Sequence, residues 1–441
     1  MKRSISYKLN KLIPGGCHTY SKGDNQFSSN APQIIKYGKG AYVFDNNNNK
    51  YLDCGMGLTS VSIGHANSNI NRAVKKAIDH GVNFNRPSIL ELEAAETFLN
   101  LVPQHQMIKF AKNGSTVTTA AIKLARAFTG RNLVVFPEEH PFYSYDDWFM
   151  IKKKCNAGIP KIFSNYSIMF QQCNIESLKK IFKKYPNKIA CVITEPEKNY
   201  CNINCKCKIN VRDFLNQAAD LAHENGALFI TDEMITGFKT YFPGSTVEYK
   251  LDADLTTWGK GIANGYSFCA LTGKKKIMEL GGIKQVKFPR VFLISSTHGA
   301  ETTGLAASIA TIKFFKKNKV INKKKKLLIK LSKECQKIIN QLNLNKYIIL
   351  TESKWLVSFD FFNKNNVSCL KTKTFIQQEM LKKKILFQGS FVPCYEHSEK
   401  DILKFVNAFQ FALNKLKRVH LLGFGKFLKG HVIQPVFKQY N

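Results

Sequence analysis

The chain has 441 residues, of which 44% are hydrophobic and 12% aromatic, so it is long enough for two or three lobes and too apolar to be disordered. Its 66 Lys and Arg against 31 Asp and Glu give a formal net charge of +35. The basic residues form short scattered runs without a nucleic-acid-binding motif, which favours a compositionally basic, solvated surface over a nucleic-acid partner, with an anionic substrate as the intermediate interpretation.

The first segment, MKRSISYKLNKLIPGG, contains no apolar signal-peptide core, and no run of 18 apolar residues occurs in the chain. We therefore expect a cytoplasmic protein with reduced cysteines and no membrane partner. Further along, AYVFDNNNNKYLD predicts a hairpin that turns at the asparagine run.

Between about residue 71 and residue 311, apolar runs with helical and strand spacing alternate. Helices are predicted for NINRAVKKAIDHG, ELEAAETFLNLV, TTAAIKLARAFTG and VRDFLNQAADLAHENG. Short β-branched runs predict buried parallel strands at NLVVF, IACVIT and ALFITD. The alternation predicts an α/β domain with a mostly parallel central sheet flanked by helices.

From about residue 312 the chain changes character. The segment KFFKKNKVINKKKKLLIKLSKECQKIINQL predicts one long basic amphipathic helix, WLVSFDFF a strand, and DILKFVNAFQFALNKL another helix. These elements predict a smaller α+β domain at the C-terminus. We expect an N-terminal segment over residues 1–70 that packs with this small domain, a large domain over 71–311 and the small domain over 312–441.

The twelve cysteines do not form the framework of a small disulfide-rich domain. Cys191 and Cys269 lie in apolar stretches and are expected to be small buried residues. The cluster CNINCKC, with Cys201, Cys205 and Cys207, has a spacing that is unusual for zinc and lacks a fourth ligand. No metal site is expected.

Three short stretches carry residues suited to chemistry. In KNGSTVTTAAIKLARAFTGR, Gly114 and Ser115 immediately precede a predicted helix, where free N–H groups and the helix dipole attract a phosphate. The alternative is an ordinary helix cap. In ALFITDEMITGF, Asp232 ends an apolar strand, where a carboxylate can hold a cationic ring nitrogen. The alternatives are a surface turn or a helix cap.

The third stretch, TTWGKGIANGYS, places Lys260 between two glycines and among few charges. A lysine held in such surroundings can be partly neutral and form a Schiff base, whereas most turn lysines are simply exposed. A phosphate-binding helix start, a strand-end aspartate and a glycine-flanked lysine, in this chain order, are together the parts that a pyridoxal phosphate enzyme needs.

With these motifs the sequence resembles the class III aminotransferases, which are fold-type I pyridoxal phosphate enzymes, and within them the glutamate-1-semialdehyde aminomutase branch. The resemblance extends from LIPGGCHTYSKGDNQF to EHSEKDI and is most specific at TDEMITGF and WGKGIANG. It implies that Lys260 is the Schiff-base lysine, that Asp232 pairs with the pyridine nitrogen, that Met234 packs on the ring, and that Gly114 and Ser115 bind the phosphate.

The resemblance implies further roles. Phe142 falls where the family places an aromatic residue that stacks on the ring, and Glu195 matches a Glu-Pro near the cofactor. Thr297 matches a threonine that reaches the phosphate of the neighbouring subunit, which implies a homodimer with a shared active site. Ordinary core, helix-cap and buried-edge roles remain alternatives for these residues. His140 is interpreted as a catalytic acid or, by preference, as a satisfied turn histidine.

The sequence departs from the aminomutase pattern on the substrate side. Lys22 stands at or near the arginine that binds a substrate carboxylate, and Tyr143 stands within the Tyr-His-Gly motif, so both are candidate substrate-binding residues. The basic loop at residues 152–163 either attracts an anionic substrate or is simply solvated. The departures favour an aminotransferase that acts on an amino donor and a carbonyl acceptor through pyridoxamine phosphate. An intramolecular aminomutase and a non-catalytic basic binding protein are the alternatives.

Overall fold

The computed structural model describes residues 4–197 and 210–438. The cysteine cluster at Cys201, Cys205 and Cys207 therefore lies outside the described residues. The chain divides into two compact units, one built from residues 1–67 together with 322–438, and the other from residues 68–321. We refer to them as the discontinuous unit and the continuous unit.

The secondary structure follows in chain order. The first part of the discontinuous unit contains α1 (Ile5–Leu12), β1 (Ile35–Lys39), β2 (Tyr42–Asp45), β3 (Lys50–Asp53) and α2 (Met56–Thr59). The continuous unit begins with α3 (Ser68–Asp79), α4 (Ile89–Leu99), β4 (Met107–Ala111), α5 (Gly114–Thr129), β5 (Leu133–Pro137), α6 (Asp147–Met150), β6 (Ser167–Phe170) and α7 (Ile175–Lys184). It continues with β7 (Ile189–Thr194), α8 (Val211–Glu224), β8 (Leu228–Glu233), α9 (Ser245–Glu248), β9 (Leu255–Trp258), β10 (Cys269–Gly273), α10 (Lys275–Met278) and α11 (Thr302–Lys317). The remaining elements are α12 (Val320–Gln341), β11 (Ile348–Glu352), β12 (Val357–Phe361), α13 (Leu370–Lys382), β13 (Ile385–Leu386), β14 (Ser390–Phe391) and α14 (Glu399–Leu422).

A seven-stranded sheet forms the centre of the continuous unit, in the order β4-β10-β9-β8-β7-β5-β6. Strand β10 is antiparallel to both neighbours, and the run from β9 to β6 is parallel. Every residue of β5, β7, β8 and β9 is buried, as expected for strands covered on both faces. Apolar clusters lie on both sides of this sheet, which confirms the predicted α/β architecture.

Local sequence signals fix the ends of the helix that matters most for the site. The Asn113 side chain caps α5 by accepting a hydrogen bond from the Thr116 N–H, and Gly130 ends it with a left-handed φ of 67°. The predicted hairpin is also present, because β2 and β3 pair antiparallel and the Asp45 carboxylate accepts the N–H groups of Asn47 and Asn49 in the turn.

The basic run after residue 312 differs from the prediction of one long helix. It forms the end of α11 and the whole of α12, with Asn318 in an extended conformation between them. The Asn318 side chain donates to the Phe314 carbonyl at 2.9 Å and so competes with helical continuation. The discontinuous unit has its own apolar core, shared by α12, α13, α14 and the strands.

Two further features of the described residues concern the membrane and metal binding. None of their helices is long and apolar enough to cross a lipid bilayer. Within residues 4–197 and 210–438, no three His, Cys, Asp or Glu side chains converge as a metal site would require.

Candidate active site

The candidate active site lies at one edge of the central sheet. Because β5, β7, β8 and β9 are parallel neighbours, the residues at and just after their carboxyl ends lie side by side. This order brings together His140 after β5, Glu195 after β7, Asp232 at the end of β8 and Lys260 after β9. Four segments far apart in sequence thus contribute to one row of ionisable side chains.

Asp232 is buried and receives two hydrogen bonds on one oxygen. Its Oδ1 accepts the Met234 N–H at 2.9 Å and the Thr257 hydroxyl at 2.7 Å. Burial and the nearby Glu195 carboxylate raise the pKa of Asp232 to about 6, although these two hydrogen bonds and the Lys260 charge act in the opposite direction. Within the described residues Oδ2 makes no hydrogen bond, so the carboxylate retains an acceptor for a cationic group.

Lys260 begins a short 3-10 turn, Lys260–Ala263, directly after β9. Its backbone has a φ of 47°, in the left-handed region that side chains other than glycine rarely adopt. Trp258, two residues before it, pairs with Glu233 of β8, and the Lys260 charge acts to lower the pKa of both Asp232 and Cys269. The strained backbone is held by the buried segments on either side of it.

Met234 fills the space between two glycines from different segments. A Cβ atom at Gly114 would lie 2.9 Å from the Met234 Sδ, and one at Gly259 would overlap the same sulfur and approach the Cys269 Sγ to 2.8 Å. The two backbones therefore pass the methionine at a distance that only glycine allows. This packing brings the start of α5 next to the segment that carries Lys260.

The start of α5 offers a ready anion site. The N–H groups of Gly114 and Ser115 lie in the first turn and have no partner within the described part of the chain, and the axis of a 16-residue helix points its positive end there. The Ser115 hydroxyl accepts the Tyr145 N–H at 3.1 Å and thereby fixes the loop after β5 against this turn.

His140, Glu195 and Tyr143 form a buried group beside Asp232. The His140 Nε2 lies 2.8 Å from a Glu195 carboxylate oxygen, and both side chains are only 1% exposed. The Tyr143 ring stacks on the imidazole with 3.5 Å between ring centres. Burial, followed by the charges of Asp232 and Glu195, raises the pKa of Tyr143 well above its ordinary value. Of the two sequence interpretations, the geometry fits a hydrogen-bonded turn histidine.

Phe142 and Tyr143 have opposite surroundings although they are adjacent. The Phe142 ring is 43% exposed and touches Phe149 edge-on, so it is not ordinary core. Tyr143 is buried in an aromatic cluster with Phe136 and Trp148. The chain therefore presents Phe142 outward and keeps Tyr143 inside.

Thr297 is not the N-cap of the helix that follows it, because Glu301 caps α11. It is exposed and lines a cavity of about 280 Å³ together with Arg86 and Lys109. The loop at residues 82–88, which carries Arg86, is tied to the start of α11 by the Thr302 N–H, which donates to the Val82 carbonyl at 3.0 Å.

Two other candidate residues occupy different surroundings. Lys22 belongs to the discontinuous unit, where it ends the short 3-10 turn Tyr20–Lys22 and is exposed. In the basic loop, Lys152 donates to the Ser164 hydroxyl at 3.0 Å and Lys153 donates to the His140 carbonyl at 2.7 Å. These two lysines serve the packing of the loop, and neither is a freely solvated charge.

Three residues were not identified from the sequence. Thr257 gave no signal, because a threonine inside an apolar strand is ordinary, yet it donates to Asp232. The cavity residues Arg86 and Lys109 were also missed, since their segments are separated from Thr297 along the chain. Strand order, which the sequence does not specify, is what brings such residues together.

The chain is similar in sequence to known proteins. The sequence model of the family described as Aminotransferase class-III matches residues 25–140 and 150–387. The glutamate-1-semialdehyde 2,1-aminomutase of Persephonella marina is 33% identical over 257 residues, which are 56% of this chain and 59% of that protein. The match thus spans about three-fifths of the length of this curated relative.

Solved structures share the fold. The FumI protein of Sphingopyxis sp. MTA144, solved in its PLP internal aldimine form, superposes with a TM-score of 0.82 at 21% identity, covering 95% of this chain and 96% of that one. An omega-transaminase from Sphaerobacter thermophilus gives a TM-score of 0.82 at 19% identity, covering 94% and 97%. The predicted fold, that of the fold-type I enzymes, is confirmed.

Proposed function

The chain belongs to the class III aminotransferases, and on that premise we propose that it is a pyridoxal-phosphate-dependent enzyme that moves an amino group from an amino donor to a keto or aldehyde acceptor. The observation that carries the proposal is the placement of Asp232 and Lys260 at the carboxyl ends of the neighbouring parallel strands β8 and β9, beside the first turn of α5.

The residues at this edge fit the cofactor. The first turn of α5 supplies N–H groups for a phosphate, with Gly114 leaving room beside Met234. Asp232 supplies a carboxylate oxygen for the pyridine nitrogen, Lys260 supplies the amine that holds the cofactor covalently, and Phe142 supplies an exposed ring for stacking. When bound, pyridoxal phosphate provides an electron sink for charge that develops on the substrate.

The side chains then have defined tasks. Asp232 keeps a proton on the pyridine nitrogen, because an anionic partner in a buried site favours the cationic form of the ring. Lys260, with its Nζ atom released by an amino donor, would be a free amine able to take a proton from the donor's α-carbon and return it on the cofactor side. Asp232 is buried and Lys260 is half-buried, so both groups are at least partly shielded from water.

We further propose that the active site is shared within a homodimer. Thr297 is exposed on a loop beside a cavity, where it is available to a neighbouring subunit. The same region exposes the apolar side chains Val82, Phe84, Ile89 and Leu92, a density of exposed apolar groups that supports an interface. Mass measurement of the native protein tests this proposal, and a monomer at micromolar concentration contradicts it.

Similarity to an aminomutase favours a second candidate function, that of an intramolecular aminomutase. The match to the Persephonella marina aminomutase is the observation in its favour. Against it stands Lys22, a point charge where the aminomutase pattern has a forked arginine. We favour the aminotransferase, with Lys22 as the main candidate substrate-binding residue and with an anionic group on the donor or acceptor. Tyr143 is the weaker candidate, because its side chain is only 3% exposed and lies inside the aromatic cluster. We place the enzyme in the cytoplasm, where its buried thiols, such as Cys54 and Cys335, stay reduced.

The test is the absorbance spectrum of the purified protein after addition of pyridoxal phosphate, followed during titration with a panel of amino donors. We expect a visible band that one donor converts to that of the aminated cofactor. Lys260→Ala should lack the band, and Lys123→Ala, at an exposed position on α5, should retain it.

Product analysis separates the candidates. An aminotransferase releases a carbonyl product and needs an added acceptor for turnover, whereas an aminomutase converts one substrate without either. A wild-type protein that gives no visible band after cofactor addition contradicts both, and steep salt-dependent binding of nucleic acid would then favour a non-catalytic basic protein.

A further inference from the structure

The buried pair of His140 and Glu195 lies next to the candidate cofactor site without belonging to any step proposed above. Glu195 follows β7, which neighbours the strand that carries Asp232, and His140 follows β5, the next strand beyond β7. A buried ion-capable pair in this position needs an explanation, because desolvating a carboxylate is costly unless its charge is used or compensated.

The hydrogen bonds define the tautomer of His140. The Phe142 N–H donates to the His140 Nδ1 at 3.1 Å, so this nitrogen is an acceptor and carries no proton. The ring proton therefore resides on Nε2 and is donated to the Glu195 carboxylate at 2.8 Å. His140 is thus neutral, and its Nε2–H favours the ionised form of the Glu195 carboxylate, in which the pair carries one negative charge.

That negative charge acts on the cofactor site. The Glu195 carboxylate is the largest cause after burial for the raised pKa of Asp232. Burial is the main cause of the raised pKa values of Tyr143 and Glu233, and the Glu195 charge adds to both in the same direction. A fixed anion beside Asp232 likewise stabilises any cation held there.

We propose that His140 and Glu195 are positioning residues that hold one buried negative charge beside Asp232 and fix the backbone of Phe142, and that they thereby set the protonation of the bound cofactor. The inference rests on the proposed function. His140 has two jobs in it, since its Nε2–H keeps Glu195 ionised and its Nδ1 anchors the amide of the residue whose ring is presented to the cofactor.

Other ionisable groups face this pair within the described residues, and the experiment must keep them constant. They are Asp232, Glu233, Tyr143 and Lys153, and the charge of Lys260 and the thiol of Cys269 interact with Asp232 in turn. None of them is altered in the variants chosen below.

The experiment measures the pH at which the visible band of the cofactor-loaded protein changes, for the wild type and three variants. Glu195→Gln keeps the shape of the side chain and removes its charge, so the midpoint should fall by about one pH unit. His140→Met removes the donor, so Glu195 takes up a proton and the midpoint should fall in the same direction. The midpoint should fall less in His140→Gln, which retains an N–H donor, than in His140→Met.

A second buried histidine serves as the matched control. The His105 Nε2–H donates to the Ala253 carbonyl at 2.9 Å and its Nδ1 accepts from the Thr272 hydroxyl at 2.8 Å, but the residue lies away from the candidate site. His105→Gln should lower the melting temperature without moving the spectral midpoint. A purely structural role for His140 would give the same result as this control.

The outcomes are separable. A lowered midpoint in Glu195→Gln and His140→Met, with an unchanged midpoint in His105→Gln, supports the inference. A wild-type band whose midpoint is unchanged in Glu195→Gln overturns the inference and leaves the proposed function standing, even where His140→Met fails to fold. A wild-type protein without a band overturns both.

Discussion

Replacing Asp232 by Asn should stabilise the cofactor-free protein at alkaline pH while abolishing cofactor binding. Burial, then the Glu195 charge, raises the pKa of Asp232 from the ordinary value of 3.8 to about 6. A carboxylate whose pKa is higher in the folded state stabilises the fold fully only below pH 3.8, and this contribution is lost as the pH rises through 6. The difference of about two units corresponds to about 3 kcal/mol of the free energy of unfolding at pH 8.

Asn suits this site because its side-chain oxygen can still accept from the Met234 N–H and the Thr257 hydroxyl. Urea unfolding of the cofactor-free proteins should therefore give Asp232→Asn an advantage of about 3 kcal/mol at pH 8 and about half of that at pH 5. An advantage that is equal at the two pH values, or a variant less stable than the wild type at pH 8, would refute the reasoning.

A second buried aspartate provides the control of opposite sign. Although burial opposes it, hydrogen bonds from His223 and Lys274 lower the pKa of Asp254. A carboxylate with a depressed pKa stabilises the fold above its ordinary pKa, so Asp254→Asn should be destabilising, and more so at pH 8 than near pH 3. The two variants together separate the electrostatic effect from the general effect of an Asp-to-Asn change.

Three further outcomes are expected in urea unfolding. Gly259→Ala should lower the free energy of unfolding by about 1–3 kcal/mol, because the new methyl overlaps Met234. Met234→Ala in the same chain should recover part of this loss, and strictly additive effects of the two substitutions would contradict the packing argument. Lys324→Met should raise the free energy of unfolding by up to about 3 kcal/mol at pH 7, because burial lowers the pKa of this lysine to about 8 and its ammonium has no hydrogen-bond partner among the described residues. This gain should shrink towards pH 10.5 as the wild-type lysine becomes neutral in both states, and a gain that persists there argues for packing alone. Ser398→Ala should cost about 1 kcal/mol by removing the capping box at the start of α14, whereas an unchanged midpoint would mean that Asp401 caps the helix unaided.

The parts of the fold that could be predicted are those in which one local pattern decides. The runs that became β5, β7 and β8 are apolar and β-branched throughout, and only a strand buried on both faces suits them. Once these strands are parallel, the residues that follow them must share an edge. The proximity of Asp232 and Lys260 was therefore within reach of the sequence, because each directly ends or follows such a strand.

The remainder depends on contacts between distant segments. The insertion of β10 as an antiparallel strand between β4 and β9 has no local sequence signal. The break at Asn318 rests on one side-chain hydrogen bond within an otherwise helical pattern. The role of His140 depends on Glu195, which lies on another strand, so the sequence alone left it as either a catalytic acid or a turn residue.

The discontinuous unit has a consequence for synthesis on the ribosome. Leu52 of β3 pairs in parallel with Ile385 of β13, which is made only after the whole continuous unit has emerged. Until then β3 presents a bare strand edge, the kind of template that recruits other chains. A nascent chain that stalls before Ile385 would thus carry a complete continuous unit and an open sheet edge. We therefore expect premature termination in the last segment to cause aggregation, and chaperones to bind the N-terminal strands during synthesis.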